Sequence, residues 1–144
     1  MGFGPMIIGF SGTRGLSTAA QRASFKEKIA ELKPDEFHHG DCIGWDVMAD
    51  FLIQKYSPQT TIVVHPPVNE TYRANCGSNR HIFKRAKPYL VRNRNIVSAA
   101  NMMLFCPGQS QEKLRSGTWS TVRYARKVGK AGFILLPDGV VETL

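Results

Sequence analysis

Four times along this chain a short apolar run gives way to a loop rich in glycine, serine or proline, and then to a stretch with helical spacing. That alternation constrains the fold more than any other feature. Met6-Ile7-Ile8-Gly9-Phe10 stops at Ser11-Gly12-Thr13-Arg14-Gly15. From about Thr18 to Leu32, Phe25, Ile29 and Leu32 fall at i, i+4 and i+7, the spacing of one helix face, with Thr18 and Gln21 placed as a capping box and Pro34 closing the segment. Phe37-His38-His39 reads as a second strand. The loop Gly40 to Asp46 follows, then a helix to about Tyr56 on which Met48, Leu52 and Tyr56 define a face, with Val47 and Phe51 beside it. Thr61-Ile62-Val63-Val64-His65 is β-branched and ends at Pro66-Pro67. Pro88 suits the first turn of a helix running to Ser98 or Ala99. Met102 to Cys106 is a fourth strand, and Ala131 to Leu136 a fifth. Residues 68–87, polar and basic around Gly77, are expected to form a long loop with a short helix.

Strands alternating with helices predict a parallel sheet covered on both faces, a single Rossmann-like, doubly wound α/β domain of about five strands. Such sheets bind ligands beyond the carboxyl ends of their strands, where the strand order reverses. The polar and glycine-rich segments gather there: Ser11 to Gly15, Gly40 to Asp46, His65-Pro66-Pro67, and Pro107 to Thr118. The last is the most telling. After the fourth strand, Arg115-Ser116-Gly117-Thr118 opens a helix with Val122, Ala125 and Val128 on one face. The first N–H groups of a helix have no partner within it, and the helix dipole adds positive potential, so this is a place for an anion or for an ordinary cap. The dinucleotide pattern G-x-G-x-x-G is absent, which argues against a classical NAD site.

A chain of 144 residues suits one domain, with residues 1–5 as a leader. The net charge of +8 calls for an anionic partner: a nucleotide or nucleotide-derived small molecule, single-stranded nucleic acid, or an anionic surface. Much of the excess lies in Arg73, Arg80, Lys84, Arg85, Lys87, Arg92 and Arg94. No apolar run is long enough to span a bilayer, and Cys42, Cys76 and Cys106 stand apart without a C-x-x-C pair. The expectation is a cytoplasmic protein with no metal and no resident cofactor, able to pair with itself through its helices.

Three arginines, Arg14, Arg94 and Arg115, are candidate phosphate partners, because a planar guanidinium donates two parallel hydrogen bonds. Asp46 is open to three readings: a first-turn acid, an acceptor for a ribose hydroxyl, or an orienter of Arg14. Asp41 is a candidate base or an Asx-turn residue. His65 lines the cleft or caps its strand. Trp45 and Trp119 either stack on a base or pack into the core.

Tyr89-Leu90-Val91-Arg92-Asn93-Arg94-Asn95-Ile96-Val97, the strand after it, and Arg115-Ser116-Gly117-Thr118-Trp119-Ser120-Thr121 together resemble the Rossmann core of the DNA-processing protein A family. Gly12-Thr13-Arg14-Gly15 and His39-Gly40-Asp41-Cys42-Ile43-Gly44-Trp45-Asp46 are similar to the glycine loops of the wider SLOG superfamily, which includes the lonely-guy phosphoribohydrolases. The resemblance implies a nucleotide at the carboxyl edge, bounded by Gly12, Thr13, Arg14, Gly40, Asp41, Asp46, His65, Arg94, Pro107, Arg115, Ser116, Gly117 and Thr118. Lonely-guy enzymes carry a glutamate where this chain has Thr121. Binding without turnover is therefore the first expectation. An N-glycosidic hydrolase, with Asp41, Glu70 or Asp46 supplying the missing carboxylate, is the alternative, and single-stranded DNA binding the third.

Overall fold

The computed structural model describes residues 4–144, so the leader's first three residues lie outside what is described. The elements run β1 (Ile7–Gly12), α1 (Ala19–Leu32), β2 (Glu36–His39), α2 (Trp45–Tyr56), β3 (Thr61–Val64), β4 (Ile82–Phe83), α3 (Tyr89–Ala99), β5 (Met102–Cys106), α4 (Gly117–Lys127), β6 (Ala131–Leu135) and β7 (Val141–Thr143). They form one sheet of order β4-β3-β2-β1-β5-β6-β7, parallel except for β7 on β6. The expected mostly parallel α/β sheet is present, with seven strands rather than five.

Alternation along the strands sends side chains to two cores. Ile8, Phe10, Phe37, Ile62, Val64, Leu104 and Leu135 meet Phe25 and Ile29 of α1 and Trp45, Ala49, Leu52 and Ile53 of α2. Met103, Phe105, Ile134 and Leu136 meet Ile96 and Val97 of α3 and Trp119, Val122 and Ala125 of α4 on the other face. Each face carries two helices, as expected.

Several local expectations need correcting. Residues 68–87 contain no helix; they pass through the two-residue β4, whose parallel pairing with Val63 and Val64 is long-range and has no local sequence signal. The buried face of α2 is Trp45, Ala49, Leu52 and Ile53, while Val47, Phe51 and Tyr56 are exposed. On α4, Val122 and Ala125 are buried but Val128, at the helix end, is exposed. Thr18 caps α1 by accepting from Gln21 N–H at 3.0 Å, but the return half of the capping box is not made. The Gln21 amide instead bridges Pro107 O, Leu135 O and Trp45 Nε1, tying three elements through one buried side chain.

Candidate functional site

Strand order reverses between β1 and β5. The chain builds outward from β1 to β4, then crosses by α3 to the opposite side of β1. At the carboxyl ends of these strands lies a cavity of about 510 Å³, walled by the loop after β1, the loop after β2, the face of α3 and the start of α4. Backbone bonds set the loops: Thr13 N–H donates to Cys106 O and Trp45 N–H to Thr13 O, both at 2.9 Å, which fixes the β1 loop between β5 and α2. Gly44 sits at φ 89°, and a Cβ there would meet the Arg14 carbonyl carbon at 2.5 Å, so the close packing of these two loops requires glycine.

Gly12, Thr13, Arg14, Gly40, Asp46, Arg115, Ser116, Gly117 and Thr118 are brought together in the cavity wall. Ser116 caps α4 by accepting from Trp119 N–H at 3.2 Å. Gly117 is exposed, with nothing within 4 Å of where its Cβ would stand.

Other candidates fall elsewhere. Asp41 is fully buried at φ 58° and turned to the 68–77 segment: its carboxylate accepts from Arg73 Nε at 3.0 Å and from Cys76 N–H at 2.8 Å. It fastens a loop and is not poised as a base. Glu70 is an exposed partner of Arg73 at 3.4 Å, outside the cavity wall. Pro107 is buried and offers its carbonyl to Gln21. The His65 ring pairs with His38 at 2.8 Å. Arg94 is exposed, its guanidinium 5.0 Å from the Tyr124 ring centroid. Trp45 and Trp119 are both buried in the cores, which removes them as stacking surfaces.

The arginine that does reach the cavity is Arg92. It is 5% exposed and hydrogen-bonds only to neutral groups: Asn93 Oδ1, the Gly40 carbonyl, the His65 carbonyl and, from Nη2 at 3.8 Å, Cys42 Sγ. Gly40 makes room for it, since a side chain there would collide with the guanidinium. A signal for it existed in the sequence. Arg92 precedes the apolar Ile96 by four residues and so shares its inward face, while Arg94 is turned about 200° away. Tyr89 and Asn93 of α3, with Gln109 beyond β5, also line the cavity and were not singled out.

Among the described residues, Asp46 is the only carboxylate in the cavity wall. Its Oδ2 accepts from Cys42 N–H at 3.1 Å, and Oδ1 has no hydrogen-bond partner. Burial pushes its carboxyl above the usual range, opposed by His39 and Arg92. Burial, together with the nearby Asp46, raises the Cys42 thiol.

One group of potential metal ligands exists among the described residues: His39, Asp50 and Cys76, with ligand atoms within 4.8 Å of one another. Its hydrogen bonding speaks for another use. His39 Nδ1 accepts the Asp41 N–H at 3.0 Å, so Nε2 carries the proton it donates to Asp50 at 2.7 Å, and His81 Nε2 reaches the same oxygen at 2.9 Å. A proton-bearing Nε2 has no lone pair for a metal. The group is a clasp between β2, α2 and the 68–81 segment.

The fold and site together define a Rossmann-like α/β domain with a cationic crevice at the reversal of strand order. The chain is similar in structure to a molybdenum cofactor binding protein from the phototrophic bacterium Rippkaea orientalis, with a TM-score of 0.68 and 18% identity, over 94% of this chain and 78% of that one. At that identity the likeness speaks to the fold. No family model matches the chain, nor does any curated protein. None of the helices described is long and apolar enough to cross a membrane.

Proposed function

We propose that the protein binds a nucleotide or nucleotide-derived small molecule in this cavity, with a phosphate at Ser116-Gly117-Thr118. One observation carries the reading: the open start of α4 faces the same cavity as Arg92, a buried guanidinium whose hydrogen-bond partners are all neutral. Burying a guanidinium with no salt-bridge partner is costly, and an anionic ligand relieves that cost. Arg14 and Arg115 add two exposed cations at the rim. The SLOG-type resemblance points the same way, and the structurally similar protein is described as binding the molybdenum cofactor, which belongs among the ligands to try.

Binding without turnover is favoured over N-glycosidic hydrolysis. Stabilising an oxocarbenium-like transition state takes a carboxylate beside the anomeric carbon. Asp41 and Glu70 are outside the cavity, and Asp46 already holds Cys42 N–H with one oxygen. Nucleic-acid binding through residues 73–94 has less support, because the fold splits that basic run. Arg73 pairs with Asp41 and Glu70, Arg80 reaches Pro58 O, Arg92 faces the cavity, and Arg94 lies over Tyr124.

Thermal-shift measurements against nucleoside mono- and diphosphates, cyclic nucleotides, ADP-ribose, the molybdenum cofactor and short single-stranded DNA test the proposal. A ligand at a hundred times its Kd adds about 2.7 kcal/mol, which is roughly 5–10 °C for a domain of this size. Gly117→Leu, whose side chain would enter open space, is expected to fold normally and to abolish the shift. No shift with any phosphate-bearing ligand, or an unchanged shift in Gly117→Leu, would remove the proposal. Assaying the hits for released base then separates receptor from hydrolase.

A further inference from the structure

Tyr89, Arg92, Asn93 and Ile96 fall at i, i+3, i+4 and i+7 of α3, and all four line the cavity, so one stripe of this helix forms a wall of the site. The aromatic member is the notable one. Phe10 also belongs to the cavity wall but is 1% exposed and locked into the core, whereas the Tyr89 ring is half-buried. Two contacts hold that ring in place. Its hydroxyl donates to Asn69 O at 3.4 Å, and the Arg92 guanidinium lies 5.3 Å from its centroid. Asn93 is equally committed: Oδ1 accepts from Arg92 Nε at 2.7 Å, and because arginine can only donate, the free end of the amide is the NH₂ group.

We propose that this stripe is the heterocycle platform of the ligand. The flat ring of a nucleobase lies on Tyr89, and an acceptor atom on its edge takes a hydrogen bond from Asn93 Nδ2, while the phosphate sits across the cavity at the start of α4. The inference rests on the nucleotide reading given above and adds to it which wall reads the base. Stacking on an aromatic side chain suits this role because every base has a π-face and the ring is ordered before the ligand arrives.

Isothermal titration with ribose 5-phosphate and with AMP, GMP and UMP tests it. In the wild type the base is expected to raise affinity roughly 5- to 150-fold over ribose 5-phosphate, the range of one stacked base. Tyr89→Phe keeps that advantage and Tyr89→Leu loses it, while ribose 5-phosphate binds all three proteins within about twofold, as expected if the phosphate site is untouched. Asn93→Leu, which removes the donor without adding a charge beside Arg92, narrows the differences among the three bases. If the wild type binds ribose 5-phosphate and the nucleotides equally well, the platform is refuted and the phosphate site stands. If it binds none of them, the nucleotide reading itself falls. A base advantage that survives in Tyr89→Leu, or a loss shared equally by ribose 5-phosphate, also overturns the platform, and melting curves of each variant show whether it is folded.

Discussion

Acidifying the protein should destabilise it through His65, by an amount the structure sets. The ring is 6% exposed, its Nε2 lies 2.8 Å from His38 Nδ1, and His38 Nε2 is 2.8 Å from Glu36 Oε1. Burial, reinforced by His38, Lys84, His39 and Arg92, pushes its pKa from 6.5 down to about 3. A histidine depressed in the folded state is protonated first in the unfolded chain, so stability is full above 6.5 and falls as the pH drops from 6.5 toward 3. At 1.36 kcal/mol per pH unit, lowering the pH from 6.5 to 5 costs about 2 kcal/mol. The assay is urea unfolding at pH 7.5 and pH 5 for the wild type and His65→Gln. With an m-value of 1–3 kcal/mol/M, the wild-type midpoint should fall by about 1 M more than the variant's. Asp46, whose pKa is raised, acts with the opposite sign and is common to both proteins, so the difference reports the hydrogen-bonded His65–His38 pair, whose second ring is also lowered, mainly by burial. Equal losses in the two proteins would refute the reasoning.

The remaining predictions concern the loops and the cavity. Gly44→Ala should cost about 1–3 kcal/mol in chemical denaturation, because φ 89° is unfavourable for alanine and its Cβ would strike the Arg14 backbone, whereas Gly117→Ala should change stability by less than about 0.5 kcal/mol. Asp41→Ala strands the Cys76 N–H and leaves Arg73 only its exposed pair with Glu70, and should cost about 2–4 kcal/mol, while any ligand affinity, measured by titration on the folded fraction, stays near wild type. Arg92→Gln should weaken nucleotide binding at least tenfold, the loss of one charge-assisted hydrogen bond, and Arg94→Gln should leave it unchanged. The opposite ranking would return the site to the arginine favoured by motif.

Much of the architecture was legible because it depends on local pattern. Thr18 and Ser116 are found capping the helices they precede in sequence, and the β-branched run at Thr61–Val64 forms its strand. Where the reading failed, the deciding contact came from far along the chain. β4 exists because Ile82 and Phe83 find Val63 and Val64, and β7 because Val141 to Thr143 fold back on β6. The same holds for side-chain roles. Asp41 stands in a glycine loop that looks like part of a ligand site, yet Arg73 and Cys76, more than thirty residues away, claim its carboxylate.

Taken alone, the amino-acid order determined the alternation of strands and helices, and with it a parallel sheet whose glycine-rich loops share one edge. Those features follow from periodicity and backbone preference within a few residues. Only the tertiary structure decided which charges face the hollow at that edge. Helical phase relative to Ile96 already set Arg92 and Arg94 on different faces; the tertiary structure laid the Arg92 face against the cavity, sent both tryptophans into the cores, and left Tyr89 on the cavity wall. The physical reason is that a side chain's direction depends on which face of its helix the sheet covers, and that choice is made when distant strands pair.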